Sequence, residues 1–210
     1  MLVKLPESDR IKIENSYYKE SFPGTRPTVY TRPEIAEMLE RAVDKLPGGY
    51  SFLIFDCYRS VATQLFLFDL FYDKIKKDNP SDDHETLVRK TKNFVVHPDE
   101  FEEKGVPPHC SGSAVDLTII GKNGILDMGT EFDDATALAG SDYFEQEPVL
   151  SIGISTERWL EIRANRKLLS GIMLQVGFTG FSEEWWHFDF GNWRWASITG
   201  RDEIYGLVEP

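Results

Sequence analysis

The stretch Ser113-Ala114-Val115-Asp116-Leu117-Thr118-Ile119-Ile120-Gly121-Lys122-Asn123-Gly124 decides the architecture. Its apolar and β-branched first part reads as a strand, and the Gly-Lys-Asn-Gly end reads as a turn that brings the chain back on itself. Period two places Ala114, Asp116 and Thr118 on one face and Val115, Leu117 and Ile119 on the other.

Working outward, residues 184–190 alternate in the same way. Trp186, Phe188 and Phe190 share one face, and His187 and Asp189 share the other. Residues 50–55, aromatic and β-branched, form a third expected strand. The spacing predicts helices over 33–46, with Pro33 at the first helical position, and over 60–77. Two more are expected at 81–92, capped by Ser81, and at 156–174, capped by Thr156. Residues 193–210 read as a mixed tail, and the acidic stretch 131–147 as a surface excursion near one end of the sheet. Interleaved elements, long loops and hairpin-like turns predict an α+β fold. A single domain over residues 1–210 would hold a small, mostly antiparallel sheet flanked by helices.

The chain of 210 residues carries 23 Lys+Arg against 35 Asp+Glu, a formal charge of −12. That charge excludes a protein that lives on attraction to phosphate backbones, so no nucleic-acid partner is expected. A hydrophobic fraction of 41% is enough for a packed core. Two cysteines, Cys57 and Cys110, cannot build a disulfide framework. The N-terminal apolar stretch is too short for a signal peptide, and no stretch is long enough to span a membrane. The expected compartment is the cytoplasm, without membrane contact. The sequence assigns no oligomeric state.

Asp116 sits on an otherwise apolar strand, where an unpaired carboxylate is costly. A cation shared with His109 would satisfy it. His187, on the polar face of the second strand, completes a set of two imidazoles and one carboxylate. That is the three-ligand pattern of a catalytic zinc with an open position for water. Glu184, just before that strand, could reach the water as general base. Alone, each residue also has a structural reading. His109 could be a satisfied polar residue at a turn, Asp116 a strand-end carboxylate, His187 a core imidazole and Arg59 half of an ion pair. The joint pattern favours the metal.

The string His109-x6-Asp116, followed by Glu184-Trp185-Trp186-His187, resembles the zinc D-alanyl-D-alanine dipeptidases of the VanX type. These lie within a wider group of peptidoglycan D,D-carboxypeptidases and endolysin peptidases. Asp56-Cys57-Tyr58-Arg59 is similar to that family's Asp-Gly-Tyr-Arg. Met128-Gly129-Thr130-Glu131-Phe132-Asp133 is similar to its Met-Gly-x-x-Phe-Asp. The resemblance implies one zinc ion per chain on His109, Asp116 and His187, with Glu184 as base. It also implies Arg59 as stabiliser of the oxyanion and Asp133 as acceptor of the substrate ammonium, with a small D,D-dipeptide as substrate. Tyr17, Tyr18 or Phe22 would wall the pocket. The sequence departs from the family at Pro107 and at Cys110-Ser111, so recognition of the substrate carboxylate is the weakest inherited element. Cys110 is expected to fill a tight turn rather than bind metal, and His84 and His97 to lie at the surface or at helix ends. The competing functions are a D,D-carboxypeptidase or endopeptidase with the same metal site and a non-catalytic zinc-binding module.

Overall fold

The computed structural model describes residues 1–92 and 94–208. In chain order its elements are β1 (Val3–Lys4), β2 (Ile11–Ile13), α1 (Ser16–Lys19), β3 (Tyr30–Thr31), α2 (Pro33–Val43), β4 (Ser51–Asp56), α3 (Val61–Asp78), α4 (His84–Thr91) and α5 (Phe101–Lys104). They continue with β5 (Ala114–Gly121), β6 (Gly124–Ile125), α6 (Thr156–Val176), β7 (Thr179–Phe181), β8 (Glu184–Asp189) and α7 (Trp193–Thr199). A six-stranded sheet runs β2-β4-β5-β8-β7, with β6 folded back on β5. β1 and β3 form a separate two-stranded ribbon.

The sheet is mostly antiparallel, as expected, with β5 central. The exception is β2, which runs parallel to β4 in the register Ile11↔Phe52 to Ile13↔Ile54. Three residues are too few to display an alternating pattern, so this strand is silent in the sequence. Its parallel sense follows from the long connection through α1, β3 and α2.

The apolar face of the sheet carries Phe52, Ile54, Val115, Leu117, Ile119 and Phe188. It packs beneath Ile35, Met38 and Leu39 of α2 and Leu169, Ile172 and Met173 of α6 in one buried cluster. Fully burying side chains of this kind contributes about 1.5–3 kcal/mol each, which fixes which face of β5 is inside. Asp116 and His187 therefore belong to the opposite face. A smaller cluster there joins Tyr17 of α1 to Leu67 and Phe68 of α3 and to Val95.

Several element ends differ from expectation for local reasons. α2 gives way after Val43 to tighter turns, in which the Lys45 and Leu46 amides bond to the Ala42 and Val43 carbonyls; Leu46 stays buried. The cap of α4 is Asp83, whose carboxylate accepts from the Thr86 amide at 2.8 Å, rather than Ser81. The cap of α6 is Ser155, which accepts from the Arg158 amide at 3.2 Å, so Thr156 is already the first helical residue. α6 continues to Val176 and stops at Gly177 in the left-handed region. The tail contains α7, capped by Asn192, and its last two residues, Glu209 and Pro210, lie outside the described residues.

The acidic stretch 131–147 is more than a surface excursion. Phe144 enters a buried cluster with Ile154, Trp159 and Ile162. The buried Arg166 guanidinium on α6 donates to the carbonyls of Met128, Leu138 and Gly140 at 2.7–2.8 Å and so ties down the loop. Among the described residues, no helix is long and apolar enough to cross a membrane.

Candidate active site

Strand register assembles the centre. Asp56 on β4 faces Asp116 on β5, and Asp116 faces His187 on β8, so three polar residues form one row across adjacent strands. His109 reaches the row from a 3-10 turn at Pro108–Ser111. Gly112, at φ 72°, then turns the chain into β5, and a Cβ there would lie 2.5 Å from the Leu2 side chain. The turn is clamped from outside: Arg32 donates to the Ser111 carbonyl at 2.7 Å, and the Thr31 hydroxyl donates to the Gly112 carbonyl at 3.0 Å.

Both imidazoles are oriented by their outer nitrogens. His109 Nδ1 donates to the Cys57 carbonyl at 2.7 Å, which turns Nε2 toward Asp116 Oδ2 at 3.2 Å. His187 Nε2 donates to Asp189 Oδ1 at 2.9 Å, which turns Nδ1 toward Asp116 Oδ1 at 3.0 Å. The two inward nitrogens are 3.1 Å apart. One ligand atom each from His109, Asp116 and His187 lies within 4.8 Å of the others, and all three residues are buried. Two neutral-capable imidazoles and a carboxylate, with the outer nitrogens already spoken for, fit a divalent transition metal.

The electrostatics point the same way. Burial would raise Asp116, but His109 and His187 hold its carboxyl well below the usual carboxylate range. Burial would lower His187, but Asp189 and Asp116 push it up to about 10. The pocket thus gathers positive charge between buried carboxylates.

Glu184 opens β8, with Oε2 3.8 Å from His187 Nδ1. Burial above all, and the Asp116 charge, raise its pKa despite His187. Arg59 donates from Nε to Asp56 and from Nη1 to the Gln64 side chain at 3.2 Å. Its Nη2 is 2.9 Å from Asp56 and 3.8 Å from Asp116. Arg59 thus forms an ion pair with Asp56, which holds the guanidinium beside the candidate metal ligands.

Asp133 approaches from the loop side at φ 61°, an uncommon conformation for a non-glycine residue. The preceding Phe132 stacks on Phe55 at 4.5 Å and meets Trp186 edge-on, anchoring the loop to the sheet. Asp133 Oδ2 accepts from the Tyr17 hydroxyl at 2.7 Å. Burial, then like charge on Asp116 and Glu184, pushes the Asp133 carboxyl up to about 7, against the Tyr17 hydrogen bond and Arg59.

One cleft of about 770 Å³ is lined by all six residues singled out by sequence, namely Arg59, His109, Asp116, Asp133, Glu184 and His187. Of the three wall candidates, Tyr17 lines this cleft. Phe22 faces a second cavity of about 820 Å³, and Tyr18 is exposed. Cys110 is fully buried, and burial pushes its thiol up to about 12, so it fills the turn as expected. His84 begins α4 and pairs with the Tyr72 hydroxyl at 2.8 Å; His97 caps a 3-10 turn.

Sequence reasoning quoted Asp56 only as part of a motif and assigned it no role, and it missed both Arg194 and the orienting role of Asp189. The alternation had placed Asp189 on the face of His187, which was the available signal. Arg194 left none, because it comes from α7 and meets the cleft only through the packing of the tail.

A family model described as D-ala-D-ala dipeptidase matches residues 12–198. A D-alanyl-D-alanine dipeptidase of Synechocystis sp. is 29% identical over 189 residues, spanning 83% of this chain and 74% of that protein. A D-alanyl-D-alanine dipeptidase of Escherichia coli is 37% identical over 82 residues, 39% of this chain and 36% of that protein. The solved structure of the LdcB LD-carboxypeptidase superposes with a TM-score of 0.49 at 18% identity, covering 96% of this chain and 74% of that one.

Proposed function

The chain belongs to the D-ala-D-ala dipeptidase family of metallopeptidases, and on that premise we propose that it hydrolyses D-Ala-D-Ala, or a close D,D-dipeptide, in cell-wall precursor metabolism. The observation that supports this reading is the convergence on one cleft of three residues able to hold a metal ion with the Glu184, Arg59 and Asp133 side chains. We assign one zinc ion per chain to His109, Asp116 and His187, and place the reaction in the cytoplasm. The bound ion would polarise the scissile carbonyl and lower the pKa of a water.

The chain's own residues do the rest. Glu184 takes the proton of the attacking water on a carboxylate oxygen and returns it to the nitrogen of the leaving amine. Its partial burial and the nearby Asp116 charge raise its basicity toward that task. Arg59, fixed by Asp56 and Gln64, offers positive charge where the carbonyl oxygen becomes an oxyanion. Asp133 receives the substrate ammonium. Its hydrogen bond with Tyr17 stands between the cleft and the second cavity, since both residues line both spaces. A peptide extended at its amino end would lack the charge that Asp133 wants and would meet Tyr17. This favours a dipeptidase over a carboxypeptidase or endopeptidase.

A panel of D,D-, L,D- and L,L-dipeptides, assayed with metal content measured in parallel, tests the proposal. D-Ala-D-Ala should be the best substrate of a preparation holding one zinc per chain, and N-acetylation should abolish its cleavage. Turnover of the acetylated peptide at an equal rate would move the protein to the carboxypeptidase reading.

A further inference from the structure

A free dipeptide brings a carboxylate as well as an ammonium. Near Asp116, Glu183 and Glu184 that carboxylate meets like charge unless a cation receives it. Pro107 and Pro108, beside His109, have no N–H to offer. Among the described residues lining the cleft, the cations of the Lys and Arg side chains are Arg59, Lys92 and Arg194. Arg59 is committed at Nε and Nη2 to Asp56 and at Nη1 to Gln64. Lys92 is committed to Glu100 at 2.7 Å.

Arg194 differs. Among the described residues its hydrogen-bond-range contacts run through Nη1, to Asp189 Oδ2 at 3.4 Å and His187 Nε2 at 3.2 Å. His187 and Asn192, at 2.9 and 2.8 Å, both serve Asp189 Oδ1, and Oδ2 is left to Arg194 Nη1, so that one nitrogen is committed to the buried carboxylate and the Nε and Nη2 side of the guanidinium is what it can present to a ligand. The guanidinium carbon lies 3.9 Å from the centre of the Phe181 ring and 5.5 Å from that of Trp193. Stacking of this kind fixes the plane of a guanidinium and leaves its N–H edge free for a carboxylate, which it matches in a two-point fork.

Position agrees with chemistry. His187 Nδ1 faces the metal-ligand set, and Arg194 stands at the opposite edge of the same imidazole. In a dipeptide the carboxylate lies one residue past the scissile carbonyl, about 3.8 Å in Cα spacing. A cation one ring away from the ligand set is in reach of it.

Building on the dipeptidase reading above, we propose that Arg194 binds the C-terminal carboxylate of the substrate. The dipeptide then lies with its ammonium at Asp133 and its carboxylate at Arg194, and the scissile bond between them over His109, Asp116 and His187.

The test compares D-Ala-D-Ala with its C-terminal amide in the metal-loaded wild type, Arg194→Met and Arg194→Lys. Wild type should prefer the acid by about 10–100-fold in kcat/KM, as expected for a charged hydrogen-bonded pair. Arg194→Met should lose that preference through a raised KM for the acid while the amide is unaffected, and Arg194→Lys should restore part of it. If Arg194→Met lowers acid and amide equally, or neither, Arg194 only supports Phe181 and His187 and the proposal is overturned while the dipeptidase reading stands. If wild type cleaves neither compound, both readings fall together.

Discussion

At one end of the cleft, Asp116 and His187 are register partners on adjacent strands, and Asp56 continues the row. At the other end, Asp133 stands in a loop at φ 61°, held by one hydrogen bond to Tyr17 and by the stacking of Phe132. The strand end cannot shift without breaking the sheet ladder and exposing the apolar face beneath it. The loop end is outside the sheet ladder and is held instead by side chains, Tyr17, Phe132 and, on either side of Asp133, the Arg166 guanidinium on the Met128, Leu138 and Gly140 carbonyls. In the proposed reading the reaction chemistry falls on the strand end, where misplaced groups are most damaging. The same reading gives selection of the substrate's amino terminus to the loop end.

Three substitutions probe that division, beginning with the largest expected effect. Glu184→Gln keeps the shape of β8 and the candidate metal ligands but removes the proposed base. It should lower kcat by about 10²–10⁴-fold with zinc content and thermal unfolding unchanged. A variant that still turns over near the wild-type rate would take Glu184 out of the base role. Asp189→Asn removes the carboxylate that orients His187. Zinc affinity should fall about 10–100-fold, measured by competition with a chelator, with little change in KM at saturating zinc. Unaltered affinity would mean that packing alone sets the His187 ring.

The smallest effect belongs to the loop end and has a pH signature. The folded pKa of Asp133, about 7, lies above its ordinary value of 3.8. The protonated form is therefore favoured by folding. Its contribution is fully present below pH 3.8 and is lost as pH rises through about 7. In the metal-free protein, Asp133→Asn should thus raise the unfolding temperature by a few degrees at pH 8, on the order of 1 kcal/mol in a chain of this size. The gain should vanish below pH 4. A stabilisation that does not vary with pH would break the assignment of strain to this carboxylate.

The central motif was legible because its signals are local. His109-x6-Asp116 crosses one turn into one strand, and Glu184 and His187 share another. Period two in residues 114–119 and 184–190 already separated the polar face from the apolar one. Asp133 and Arg59 came from resemblance, since nothing in their neighbouring residues announces a cleft. Pro107 raised the question of the substrate carboxylate without answering it. The N-terminal strand β2 and the buried Phe144 of the acidic stretch escaped because their environments are made by distant segments.

The α+β class, the polar face of β5 and β8, and the residue types able to hold a metal can be read from the amino-acid order alone. These follow from alternation and from the cost of leaving Asp116 unpaired on an apolar strand. It took the packed structure to show that Tyr17, rather than Tyr18 or Phe22, lines the cleft beside Asp133, that Asp189 and Cys57 orient the two imidazoles, and that Arg194 enters the cleft. Each of these depends on segments far apart in the chain, brought together by burial of the sheet's other face, and no local pattern encodes such a meeting.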